Sequence, residues 1–146
     1  MLSATSKYAL RALVHLARHH GAETAVLGRN LAEGAEIPSQ YLSKIMLTLK
    51  RAGLVTTARG TGGGYRLARP TQAIPLADVL VLFEGETEGP ECLLGVNAQC
   101  SETNPCTAHA SWRDLRNSYT DFFLSTTVAD VSGDVTLATT KGGAGR

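Results

Sequence analysis

The residues best suited to chemistry are gathered in one stretch. Cys92, Cys100 and Cys106, the three cysteines of the chain, lie there with gaps of seven and then five residues, and His109 follows three residues after the last. Small and polar residues fill the gaps, among them Gly95, Asn97, Gln99, Ser101, Asn104 and Pro105. Backbone of that composition can wrap the sulfurs around a common centre. Thiolates and an imidazole so gathered are a ligand set for zinc or for an iron–sulfur cluster. Spacing alone leaves both metals open.

Simpler uses of cysteine fit less well. A buried cysteine serves as a small hydrophobe, but these three sit in a loop composition. A disulfide would leave one of three cysteines over, and the opening residues, with Ser3, Ala4, Thr5 and Lys7, hold no continuous apolar segment of a secretory signal. No stretch is apolar for long enough to span a bilayer. The expectation is a cytoplasmic protein whose reduced thiols bind a metal or do redox chemistry. A thiol or electron-transfer enzyme is disfavoured, because there is no Cys-x-x-Cys, no pair of catalytic carboxylates and no cofactor fingerprint.

A chain of 146 residues makes one domain, or one with an appendage. Its net charge of +1 conceals an asymmetry. Residues 1–70 hold ten Lys or Arg against three Glu, a balance of +7, and residues 71–146 hold four basic and ten acidic groups, a balance of −6. A basic half joined to an acidic one points to a polyanion-binding module with a separate regulatory or assembly module.

The elements that must position these groups follow from periodicity and punctuation. Ser3 or Thr5 caps a first helix running to about His20, with Ala9, Leu10, Leu13, Val14, Leu16 and Ala17 as its apolar face and Gly21 as its stop. A short helix follows at about Leu27 to Gly34. Glu36-Ile37 makes a turn, Pro38 suits the first position of a third helix, and Gly53 ends that helix after Ala52. Leu42, Ile45, Met46 and Leu49 form its buried stripe. Ser39, Gln40, Ser43 and Lys44 fall on a polar face near its N-terminal end.

Leu54 to Arg59 and Tyr65 to Ala68 then read as a hairpin around Gly60-Thr61-Gly62-Gly63-Gly64. Three helices and a basic two-stranded ribbon describe a mainly α fold with a small β-wing, a winged helix-turn-helix. Its third helix enters the major groove of double-stranded DNA, while Arg59, Gly60, Thr61, Gly62 and Arg66 of the wing approach the phosphates. A Gly-rich loop can also cradle a nucleotide phosphate, but no helix and no Gly-Lys-Ser/Thr ending follow this one. Gly62-Gly63-Gly64 therefore reads as a flexible wing tip permitting positive φ and close backbone approach.

Several stretches together resemble one known family. They are Ser6-Lys7-Tyr8-Ala9-Leu10-Arg11-Ala12-Leu13, Tyr41-Leu42-Ser43-Lys44-Ile45, Ala52-Gly53-Leu54-Val55 and Arg59 to Ala68. To these add Pro75-Leu76-Ala77-Asp78-Val79-Leu80, Phe83-Glu84-Gly85, and the cysteines leading into Trp112-Arg113-Asp114-Leu115. The resemblance is to the Rrf-two family of bacterial transcription regulators and covers about residues 1–131. It implies a homodimer, a winged-helix DNA reader, an iron–sulfur cluster held by Cys92, Cys100 and Cys106, and a long helix after the cysteine loop that pairs with its counterpart. The sequence independently supports that helix: Trp112, Leu115, Tyr119 and Phe122 recur at i, i+3, i+7 and i+10, a seam for burial against another helix or, alternatively, against the chain's own core.

The fourth ligand separates branches of the family. Some members resemble a three-cysteine-plus-histidine site, and His109 matches that histidine. Others take a carboxylate from the first helix of the partner; here residues 1–22 contain no Asp or Glu, and Tyr8 stands near that position. His109 is therefore the expected ligand of a [2Fe-2S] cluster. The seven-residue first gap equals that of the iron-responsive branch, which leaves a [4Fe-4S] cluster open.

The resulting expectation is a dimeric DNA-binding repressor that senses iron, redox state or nitric oxide through the cluster; the alternative is a zinc-stabilised winged-helix protein without sensing. Residues 1–70 form the DNA-binding region. Residues 71–131 supply the following helix, the cysteine loop and the dimerisation helix within the same domain, and residues 132–146 form a flexible tail.

Overall fold

A computed structural model describes residues 2–19, 24–60, 63–85, 93 and 102–133. Helix α1 (Ala4–His19) is the element around which the others pack. Of the two candidate caps it uses Ser3, whose carbonyl accepts the Lys7 N–H at 3.1 Å and whose hydroxyl accepts the Ser6 N–H at 3.1 Å. Ser6, Ala9, Ala12, Leu13 and Leu16 make its buried stripe at helical spacing.

Helices α2 (Gly28–Gly34) and α3 (Ser39–Arg51) form the helix-turn-helix. Their turn is a Schellman closure: Ile37 N–H reaches Ala32 C=O at 2.8 Å and Glu36 N–H reaches Glu33 C=O at 3.2 Å. Glu36 sits at φ +53°, a left-handed conformation that costs a non-glycine residue about 1 kcal/mol. Arg11 of α1 braces it, its Nε donating to the Ala35 carbonyl at 2.8 Å and its Nη2 to the Glu36 carbonyl. Pro38 is not the first helical residue. At ψ 129° it is extended and occupies the cap position, so α3 starts at Ser39. Gly53 ends α3 as expected, at φ +75°, with Leu54 N–H closing on Leu49 C=O at 3.0 Å.

Strands β1 (Val55–Ala58) and β2 (Gly64–Leu67) pair antiparallel, from Val55↔Leu67 to Ala58↔Gly64. The outer edge of β2 is tied to the segment before α2: Val26 and Tyr65 exchange N–H···O=C bonds of 2.7 and 2.8 Å. This contact explains Gly64. A Cβ there would lie 2.0 Å from the Val26 carbonyl oxygen, and one at Gly63 would lie 2.5 Å from that of Ala58. The two glycines serve close packing at the base of the wing. Thr61 and Gly62 lie outside the described residues.

A 3-10 turn (Thr71–Ala73) leads to α4 (Leu76–Glu84), and the chain reappears as α5 (His109–Ser125) and α6 (Val128–Ser132). Helix α6 is an element that the sequence reading places in no helix. Thr127 and Asp130 cap it with a capping box, Val128 buries itself in the core, and Arg18 of α1 donates to the Val131 and Ser132 carbonyls at 3.3 Å each. Ser132 thus ends a helix rather than beginning the tail, and residues 134–146 lie outside the described residues. The core draws on α1, α2, α3, α4, α6 and both strands; α5 contributes no fully buried residue. No helix among the described residues is long and apolar enough to cross a membrane.

Candidate nucleic-acid interface and metal centre

Burial of Leu42, Ile45, Met46 and Leu49 fixes the rotation of α3. It leaves Ser39, Gln40, Ser43 and Lys44 exposed over the first two turns. Arg59 and Gly60 are exposed at the end of β1, with Gly60 at φ +91°, and Arg66 is exposed on β2, its Nε donating to Thr56 Oγ1 at 3.4 Å. A groove of about 550 Å³ runs between α2, the start of α3 and the wing, lined by Arg29, Glu33, Ser39, Ser43 and Tyr65 among others. Arg29 is a cation on this face that the sequence reading does not single out; its place on the helix before the turn is the only signal for it.

Not all the basic charge of the first half faces outward for a polyanion. Arg11 and Arg18 brace carbonyls, and Arg69 donates to the Gly53 and Ala52 carbonyls at 3.3 and 3.2 Å while its Nη1 lies 3.8 Å from Asp78. Three of the ten cations therefore serve the fold. Tyr8 is also committed locally: its ring stacks on Tyr41 at 6.1 Å, with the Arg11 guanidinium 5.4 Å from its centre.

Of the four expected cluster ligands, Cys106 and His109 are described, and Cys92 and Cys100 lie outside the described residues. His109 is the first residue of α5, and its N–H donates to the Cys106 carbonyl at 3.1 Å, so one tight turn holds the two residues together. Cys106 is half-buried and the imidazole is 10% exposed. His109 Nε2 lies 3.2 Å from Glu102 Oε1, and Arg113 Nη1 grips both oxygens of the same carboxylate at 3.1 Å. Hydrogen bonds from His109 first and Arg113 second hold the Glu102 carboxyl below the usual carboxylate range. The donor chemistry fits a thiolate-plus-imidazole site: a thiol and a mostly buried ring, one turn apart, with a carboxylate behind the ring. Among the described residues no cluster of three or more His, Cys, Asp or Glu side chains converges on a metal position.

The four residues expected to form a seam on α5 differ in exposure. Trp112 is half-buried, while Leu115, Tyr119 and Phe122 are exposed in the single chain, Leu115 at 61% and Phe122 at 52%. The helix turns a different residue inward: Phe123 packs on the core and meets Tyr119 and Phe122 edge-on at 4.8 and 5.1 Å. An intramolecular core use of Leu115 and Phe122 is thereby excluded. At the other end of the cysteine segment, Glu84 closes α4 onto α1, its Oε1 accepting from Ser6 Oγ at 2.5 Å and from Ser3 N–H at 2.8 Å.

A helix-turn-helix with a packed wing and exposed polar residues on its second helix defines a winged-helix DNA-binding protein. The chain belongs to the Rrf2 (Rrf-two) family, described as iron-dependent transcriptional regulators, whose model matches residues 2–134. It is 30% identical to the HTH-type transcriptional regulator IscR of Vibrio cholerae, over 91% of this chain and 75% of that one. The solved structure of CymR, the global cysteine regulator of B. subtilis, superposes with a TM-score of 0.73 at 26% identity, covering 90% of this chain and 95% of that one. That of T. potens IscR does so with a TM-score of 0.68 at 28% identity, covering 90% and 85%. The protein is a DNA-binding transcription regulator and not an enzyme.

Proposed function

We propose that this regulator is a homodimeric repressor whose DNA affinity is set by an iron–sulfur cluster, [2Fe-2S] in the leading form, held by Cys92, Cys100, Cys106 and His109. The observation that carries the reading is the turn that joins Cys106 to His109 at the start of α5, with the imidazole buried against Glu102. When bound, the cluster supplies a redox- and nitric-oxide-reactive centre whose presence depends on iron. The chain's own residues do the rest. Gln40 and Lys44 of α3, with Ser39 and Ser43 beside them, read base edges in the major groove; Arg59, Gly60, Thr61, Gly62 and Arg66 hold the wing on the backbone. Trp112, Leu115, Tyr119 and Phe122 bury their uncovered face against the same face of a second copy.

The coupling route is structural. Glu84 fixes the beginning of the cysteine segment to α1, while its end is the first turn of α5. Cys92, Cys100, Cys106 and His109 would hold the cluster between these two anchors, so its presence would bear on the position of α5 and, through it, on the separation of the two recognition helices across the proposed dimer. The test is anaerobic purification with iron, sulfide and Mössbauer analysis, followed by operator binding before and after cluster removal. A brown protein whose DNA affinity changes at least tenfold on removal supports the reading. A colourless protein with stoichiometric zinc and unchanged affinity selects the zinc-stabilised alternative.

A further inference from the structure

Resting on that cluster reading, we propose that Glu102, clamped by Arg113, is the positioning residue for His109, fixing the imidazole with its proton on Nε2 so that the ring binds the cluster through Nδ1. A carboxylate only accepts hydrogen bonds, so the ring nitrogen 3.2 Å from Glu102 Oε1 is the one that carries hydrogen. A neutral imidazole has one N–H and one lone pair, and a metal takes the lone pair. With Nε2 protonated, the lone pair is on Nδ1.

The surrounding contacts converge on the same carboxylate. Arg113 Nη1 lies 3.1 Å from each Glu102 oxygen, and the Arg113 Nε lies 3.7 Å from Asp114 Oδ1, so the carboxylate is gripped from α5 itself. His109 and Arg113 are one helical turn apart on that helix, which lets one carboxylate reach both. Glu102 lies between Cys100 and Cys106, so the same contact ties the second half of the cysteine loop to the first turn of α5. A carboxylate behind a ligating imidazole strengthens its donation to the metal and fixes the ring's orientation.

Pulsed EPR of the reduced, full-length wild-type protein tests the assignment without a variant. Two samples are compared, one labelled with ¹⁵N at histidine Nδ1 and one at Nε2. The strong nitrogen coupling is expected to change isotope in the Nδ1-labelled sample alone. Glu102→Ala is then expected to speed cluster loss to a chelator about tenfold or more and to raise the reduction potential, while Glu102→Gln, whose amide oxygen still accepts, recovers most of both. A strong coupling at Nε2 overturns this inference and leaves the cluster reading standing, as does a Glu102→Ala protein with wild-type potential and chelator resistance. Wild-type protein free of iron and sulfide overturns the cluster reading, and this inference with it.

Discussion

Helices α3 and α5 carry the two proposed working surfaces and are built differently. In α3, 13 residues long, four apolar side chains are buried, and Ser39, Gln40, Ser43 and Lys44 are left exposed over the first two turns. In α5, 17 residues long, nothing is fully buried, and Leu115, Phe122 and Leu124 lie more than half exposed. The first is a finished piece of a core, ready to be laid into a groove. The second leaves apolar side chains uncovered, and an exposed apolar face of this kind marks an interaction surface. In the proposed regulator this division would separate the DNA-reading surface from the contact next to the cysteine segment.

The largest effect expected from breaking this contrast is at the ligands. Cys106→Ala removes one of the proposed thiolate ligands, so iron and sulfide should be absent from protein purified without oxygen. Circular dichroism should still show a folded helical protein, because the core lies in α1–α4, α6 and the wing. Loss of the fold together with the cluster would place the cysteine segment inside the cooperative core.

Next in size come paired changes in the two halves. Leu115→Asp puts an unpaired charge into the proposed apolar interface and should weaken the dimer by about 3–5 kcal/mol, leaving monomer in light scattering with the fold intact. Leu13→Ala, at a fully buried position of α1, should instead destabilise the fold itself by about 2–5 kcal/mol in urea titration. An intact Leu115→Asp dimer would reassign the face.

Smaller effects are expected on the DNA side. Lys44→Ala should lose about 1–3 kcal/mol at particular base pairs, whereas Arg59→Ala should weaken all sequences alike and reduce the slope of log K against log salt by about 0.9. An unchanged slope would remove Arg59 from the phosphate contacts.

The smallest effect concerns the clasp between α1 and α4. Hydrogen bonds from Ser6 and then Ser3 hold the Glu84 carboxyl below its ordinary range. Its contribution is therefore complete above the unfolded value near 4.3 and lost as pH falls through the lower folded value. Glu84→Gln should cost about 1 kcal/mol at pH 7, and the gap to wild type should close as the solution is acidified to about pH 2. A gap that stays constant with pH would mean that packing, not charge, makes the contribution.

Much of this was legible because the signals are local. The stripes of α1 and α3 follow from 3.6-residue spacing, and the Gly53 stop and the hairpin follow from φ preferences that a residue carries anywhere. The short α6 was not legible: five residues hold too little periodicity, and its place depends on Val128 reaching a core built mostly from the first 80 residues. The glycine run was legible as a site of positive φ and close backbone approach, but not which backbones approach: those of Ala58 at Gly63 and of Val26 at Gly64.

What the sequence determined by itself is the inventory of donors and the elements that carry them: three thiols and an imidazole in one stretch, polar residues at the start of α3, and an aromatic seam on α5. What only the tertiary structure decided is the assignment of partners. Arg11, Arg18 and Arg69 are braces while Arg59 stays exposed, Phe123 turns inward while Phe122 does not, and Glu102 meets His109. The physical reason is that helix and turn preferences act over a few residues. The use of a charge or an apolar face depends on which distant segment packing brings within hydrogen-bond or van der Waals reach.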